Sequence, residues 1–209
     1  MAKQELFEKS PIRAFDKATN GGLKAGEIGL VTAKKGMGKT SVLVQFGMDT
    51  LLSGNQLVHV SFDQQSSNVI TWYDGIFTEI AKKNNSNTDE LKNDVMKTRT
   101  ILNFNQENGT LPRIVNTLNA LNAGGIKVAG VVIDSADLSK ISSEDMQILS
   151  SYAKATHVKI WMASSAGMPA ELDSYFDAVI NLEQVSSTIN VNILKLRDKK
   201  DVKSSMKLD

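Results

Sequence analysis

Apolar residues recur along this chain with two different periods, and the points where the period changes mark out its elements. Residues 27–34, EIGLVTAK, form an apolar run that ends in a glycine-rich turn; from Thr40 to Leu52 the spacing of Val42, Leu43, Phe46 and Leu51 becomes helical. The order there is strand, loop, helix. A second strand, LVHVSFD at 57–63, is closed by the polar cluster QQSSN. Val69, Ile70, Tyr73, Phe77 and Ile80 predict one face of a helix over 66–83, NNSNT at 84–88 interrupts it, and a polar helical stretch continues to about residue 100. Leu111, Ile114, Val115, Leu118 and Leu121 have the spacing of an amphipathic helix ended by Gly124 and Gly125. Two more buried strands, IKVAGVVID at 126–134 and HVKIWMAS at 157–164, are separated by a helix that starts near Ser142, where SSED resembles a capping start. Strands alternating with helices predict the α/β class, a mostly parallel central sheet flanked by helices. After residue 176, DAVINLEQ and TINVNILKLR read as consecutive strands forming a hairpin at the sheet edge, and residues 198–209 read as a charged, flexible tail.

Composition removes several kinds of chemistry. A chain of 209 residues with 41% hydrophobic content is long enough for one substantial core, so 1–209 is expected to be a single domain. No apolar run approaches a membrane span, and the start MAKQELFEKS lacks the apolar stretch of a secretion signal, which points to the cytosol and away from a membrane. Twenty-four basic against 23 acidic residues leave a formal charge of +1, too little for a global field that recruits nucleic acid. Zero cysteines exclude disulfides, thiolate catalysis and cysteine-ligated zinc. His59 and His157 each sit in an apolar, strand-like run without a nearby partner and read as structural residues.

The candidate chemistry begins at residues 33–40, AKKGMGKT. A phosphate-binding loop must curl tightly enough to aim successive backbone N–H groups at one point, which explains glycine at Gly36 and Gly38. Lys39 adds a mobile charge for the outer phosphates, Thr40 opens the following helix and can offer its hydroxyl to magnesium, and the helix dipole favours a bound anion. Lys34, Lys35, Met37 and Ser41 complete the stretch expected around the phosphates. Ala33 stands where the usual pattern has glycine, a change that is tolerated if the backbone there is still extended and does not take positive φ.

Upstream stands FDKATNGGLKAGEIGLVTA. Together with GMGKT it resembles the entry to the RecA-like P-loop ATPases of the DnaB replicative-helicase and KaiC clock-protein kind, through Phe15, Asp16, Gly21, Gly22, Leu23, Gly26 and Glu27. Alanine at the first loop position is similar to the helicase branch. VVIDS at 131–135, WMASS at 161–165, FDAVINL at 176–182 and NILKLRD at 192–198 resemble the later strands of the group in the same order. The resemblance implies a RecA-like fold, ATP with Mg²⁺ as cofactor, and a homo-oligomeric ring or filament.

Asp134, ending the strand VVID, would hold the magnesium or its water shell beside Thr40; the alternative is a strand-end aspartate that caps the next turn. Asp137 reads as a surface or turn group. Lys195 and Arg197 alternate with apolar residues on the last strand and so share a face; the resemblance implies that such a pair reaches a neighbouring subunit's phosphates, whereas an edge strand also uses positive charge to block pairing. The resemblance also implies a catalytic glutamate after the second strand, where this chain has Ser61-Phe62-Asp63-Gln64-Gln65. Aspartate is a methylene shorter and glutamine cannot accept a proton, so hydrolysis through Asp63 is expected to be slow or absent. An Asp63 that reaches the water from a slightly displaced strand end is the alternative.

The loops expected to grip DNA are poorly equipped: residues 135–147 carry Lys140 against Asp137, Glu144 and Asp145, and residues 164–177 carry no basic residue. Trp72 and Trp161, at helix and strand positions, read as packing residues. The expectation is an ATP–Mg²⁺ binding protein that uses nucleotide as a conformational or assembly signal with weak turnover. An ATP-driven DNA motor or recombinase, recognised by turnover that single-stranded DNA stimulates, and a nucleotide-free scaffold of the same fold are the alternatives.

Overall fold

Each apolar run flanked by turn residues becomes a strand, and the strands lie side by side in one sheet. The computed structural model describes residues 2–207 except 63, 85–88, 106, 108, 166, 186–187, 198 and 201–204. Two short helices come first, α1 (Ala2–Glu8) and α2 (Ile12–Ala18), then β1 (Ile28–Thr32), α3 (Lys39–Leu52), β2 (Gln56–Ser61), α4 (Ser66–Lys83), α5 (Asp89–Met96) and β3 (Arg99–Asn103). Next come α6 (Leu111–Ala123), β4 (Val128–Asp134), α7 (Ser143–Thr156), β5 (Lys159–Ser164), β6 (Ala178–Val185), β7 (Thr188–Leu196), β8 (Lys199–Lys200) and β9 (Ser205–Lys207). The strand order is β3-β2-β4-β5-β1-β6-β7-β8, with β9 also on β7. The pairings from β3 through β6 are parallel, and β7 pairs antiparallel with β6, β8 and β9.

Burial on both faces explains why the central strands read as unbroken apolar runs. Alternate residues of β4 divide between two cores: Val132 packs under α3 and α4 with Trp161 and Ala163, while Val131 and Ile133 pack under α6 and α7 with Leu118, Met146 and Leu149. Trp161 stacks on Phe46 with ring centroids 4.0 Å apart and meets Phe15 edge-on, so it packs as expected. Gly29 leaves room for it, since a Cβ there would lie 2.4 Å from the indole. The helix at 143–156 starts with the capping box expected at Ser142, whose hydroxyl accepts from Asp145 N–H while the Asp145 carboxylate accepts from Ser142 N–H.

Two expectations are corrected. The polar helix predicted to run to about residue 100 stops at Met96, and Arg99–Asn103 form the edge strand β3. Only Ile101 and Leu102 are apolar there, and the strand is specified by pairing along β2, with His59 opposite Ile101. His157 is no strand residue: it closes α7 in the left-handed region at φ 58°. Part of the charged end, Lys199–Lys200 and Ser205–Lys207, pairs with β7, and the remainder of 198–209 lies outside the described residues.

Candidate functional site

The register Thr32↔Ser164 and Ser61↔Asp134 brings the carboxyl ends of β1, β5, β2 and β4 to one edge of the sheet, the edge at which open α/β sheets bind ligands. From Thr32 the chain turns through Ala33–Gly38 into α3. Gly36 and Gly38 take φ of +84° and +82°, the left-handed region in which a side chain would be strained. Ala33 does not take positive φ; it is buried against the core beside Val31 and Val42, so its methyl is accommodated. Gly38 is the N-cap of α3 and supplies no capping side chain, which leaves the first-turn N–H groups of α3 without a side-chain acceptor. Lys34, Lys35 and Gly36 are exposed, and Met37 and Ser41 are half-buried beside them.

Lys39 is nearly buried, and its ammonium donates to the carbonyls of Ala33 and Lys34, each at 3.1 Å. Burial lowers its pKa and the nearby Asp134 charge opposes that shift. The Thr40 hydroxyl donates to Asp134 Oδ2 at 2.7 Å, and Ser135 donates to Oδ1 at 3.4 Å. Asp134 is 1% exposed; burial raises its pKa, and the hydrogen bonds from Thr40 and Ser135 and the Lys39 charge offset part of the rise. The Gln64 amide stands 3.4 Å from both Thr40 Oγ1 and Asp134 Oδ2. A cleft of about 650 Å³ opens over these groups, walled by Gly36, Lys39, Asp134, Ser165 and the indole of Trp72. That volume suits a nucleotide-sized ligand.

Of the residues singled out in the sequence, Lys35, Gly36, Gly38–Ser41 and Asp134 line this one cleft, while Lys195 and Arg197 do not join them. β7 ends at Leu196, and Arg197 turns into the left-handed region at φ 54°, so the two residues do not continue one strand face. Arg197 donates in bidentate fashion to Glu27, at 2.8 and 3.0 Å, and to the Gly22 carbonyl at 3.0 Å; Lys195 donates to the Asp173 carbonyl at 2.6 Å. Glu27 precedes β1, so the arginine sits at the opposite end of that strand from the loop. Asp63 lies outside the described residues. Asp137 is the expected turn group: it accepts from Ser139 N–H at 3.2 Å and pairs with Lys140 at 3.3 Å.

Two residues at the cleft escaped the sequence reading. Gln64, which cannot act as a base, follows the second strand directly and reaches Thr40 and Asp134. Trp72, expected to pack, is 43% exposed; the buried stripe of α4 is Val69, Tyr73, Ile76, Phe77 and Ile80, and Ile70, expected on that stripe, is also exposed. The usable signal was an aromatic residue lying beside the helical stripe rather than on it.

A family model described as ATPase: KaiC matches residues 9–158, a span that includes the loop, α4 and Asp134 but not β6 and β7. No curated protein matches the chain. Among the described residues, no helix is long and apolar enough to cross a membrane.

Proposed function

The chain belongs to the KaiC ATPase family of RecA-like P-loop proteins, and from that premise we propose that it binds ATP with Mg²⁺ and uses the nucleotide as a conformational or assembly signal with slow hydrolysis. The observation that carries this is the Thr40–Asp134 hydrogen bond beneath a loop with two left-handed glycines and an uncapped helix start. A hydroxyl and a buried carboxylate 2.7 Å apart are a donor set suited to a hard cation, and the loop amides and Lys39 are suited to phosphates, so the residues present fit the pair. Bound ATP–Mg²⁺ would supply a polarised phosphoanhydride. The chain's part is to hold it: backbone amides of the loop and of the first turn of α3, from Gly36 to Ser41, would take phosphate oxygens, Lys39 would exchange the carbonyls of Ala33 and Lys34 for the outer phosphates, and Thr40 and Asp134 would hold the metal.

Slow turnover follows from the residues after β2. Asp63 is shorter than the glutamate the family resemblance implies, and Gln64, the neighbour that reaches Thr40 and Asp134, can orient a water but cannot take its proton. Loss of general-base assistance is typically worth about 10²- to 10⁴-fold in rate. Within the isolated chain Lys195 and Arg197 secure the hairpin; action across a subunit boundary would require the Arg197–Glu27 pair to open on assembly. DNA translocation is the weaker reading, because Lys140, the only lysine between residues 135 and 147, is paired with Asp137.

ATP turnover by wild type, Lys39→Ala and Asp63→Ala, with and without single-stranded DNA, tests the proposal. Slow wild-type turnover that Lys39→Ala abolishes and DNA leaves unchanged is expected. Brisk turnover dependent on Asp63, or stimulated by DNA, would contradict it.

A further inference from the structure

Trp72 exposes 43% of its surface on a helix whose apolar stripe is already complete without it. Unlike the similarly exposed Ile70, it lines a ligand-sized cleft, where its ring is free to meet an occupant. Two hollows share this residue. The cleft over the loop includes Ser41 and Trp72, and a second hollow of about 290 Å³ along α4 is lined by Ser41, Thr71, Trp72, Gly75, Ile76 and Glu79. The phosphate cleft therefore continues past Ser41, beside the indole, onto a ledge at Gly75 where an added Cβ would meet nothing within 4 Å.

We infer that this continuation takes the base of the bound nucleotide, stacked on the Trp72 indole, and that it favours a purine. The inference rests on the phosphate-binding proposal above and supplies what it lacks, the position of the nucleoside. Direction comes from the loop itself: the lysine of such a loop serves the outer phosphates, so the inner phosphate and the sugar leave on the side of the following helical residues, here Ser41. The cleft is also lined by the Asp137–Lys140 ion pair, 3.3 Å across, whose carboxylate and ammonium offer no apolar face to a ring. Ser41, shared by both hollows, stands with an indole and an open ledge. Stacking is sequence-tolerant because every base has a π-face, and the larger ring system covers more of the indole, hence purine before pyrimidine.

Calorimetric titration of wild type, Trp72→Phe and Trp72→Ala with Mg²⁺–ATP and with Mg²⁺–tripolyphosphate tests this. ATP should bind Trp72→Ala about 5- to 150-fold more weakly than wild type, the range that removal of a base-stacking aromatic produces, and Trp72→Phe should keep most of the affinity. Tripolyphosphate, which has no base, should bind all three alike. Unchanged ATP affinity in Trp72→Ala would overturn the stacking inference while leaving phosphate binding intact. Equal losses for ATP and tripolyphosphate would also overturn it, because the indole would then act on the loop or the phosphates. Failure of wild type to bind either ligand would overturn the phosphate site and the stacking inference together.

Discussion

At the amino ends of the strands Arg197 donates to Glu27 and Gly22, the Asp177 carboxylate accepts from Ile28 N–H at 2.9 Å, and Arg13 pairs with Asp16 and Asp49. At the carboxyl ends Lys39 is held by two carbonyls of its own loop, Thr40 by Asp134, and Gln64 by long contacts to both. Both edges sit on the same apolar strands, with Phe15, Phe46 and Trp161 packed together between β5 and α2/α3. The first edge ties the chain to itself through charged pairs such as Arg197 to Glu27, 170 positions back; the second joins Thr40 to Asp134, 94 positions apart, and holds Lys39 on two carbonyls of its own loop, contacts that a ligand can replace. Stability and ligand capacity are divided between the two ends of one sheet.

The largest effect should come from the core beneath the amino edge. Trp161→Ala removes the stacked indole and should lower unfolding stability by about 3–5 kcal/mol in denaturant titration, with nucleotide affinity of the folded fraction unchanged. Weakened affinity would show that the two edges are not separable. Midway along β2, His59 is buried against Tyr73, its Nδ1 3.1 Å from the hydroxyl, and burial pushes its pKa down to about 4 from an ordinary 6.5. The folded state therefore favours neutral imidazole: its contribution is intact above pH 6.5 and is lost as pH falls through 6.5 toward 4. Stability of wild type relative to His59→Gln should drop by about 3 kcal/mol across that window, read from denaturation midpoints at each pH.

Smaller changes sharpen the contrast. Arg197→Ala leaves Glu27 without its bidentate partner and should destabilise by about 1–2 kcal/mol, with ATP binding to the isolated chain unaltered. Asp134→Asn should do the reverse. Burial raises the Asp134 pKa, so the ionised carboxylate costs folding free energy at neutral pH; the amide should leave stability equal or slightly higher while Mg²⁺-dependent nucleotide affinity falls.

This division also explains what the sequence could disclose. The loop and Asp134 were legible because each is set by a few consecutive residues, glycines at the turn and an aspartate closing an apolar run, and the register of β2 and β4 needed only those runs to pair. Even the tolerance of Ala33 followed from local geometry. The amino edge was illegible: Arg197 finds its partner 170 positions back in the chain, and nothing near residue 197 announces Glu27. β3 was missed for a similar reason, since its strand character comes from β2 rather than from its own two apolar residues. Taken singly, Trp72 is a helical aromatic and Gln64 an amide after a strand; their place beside Thr40, Asp134 and the cleft comes from the fold.

The most direct test is the unfolding stability of wild type and Lys39→Ala with and without Mg²⁺–ATP. At a hundredfold excess over its dissociation constant, Mg²⁺–ATP should stabilise wild type by about 2.7 kcal/mol and leave Lys39→Ala where it was. A wild-type chain that unfolds at the same denaturant concentration with or without the nucleotide, at any excess tried, would contradict the account at its root.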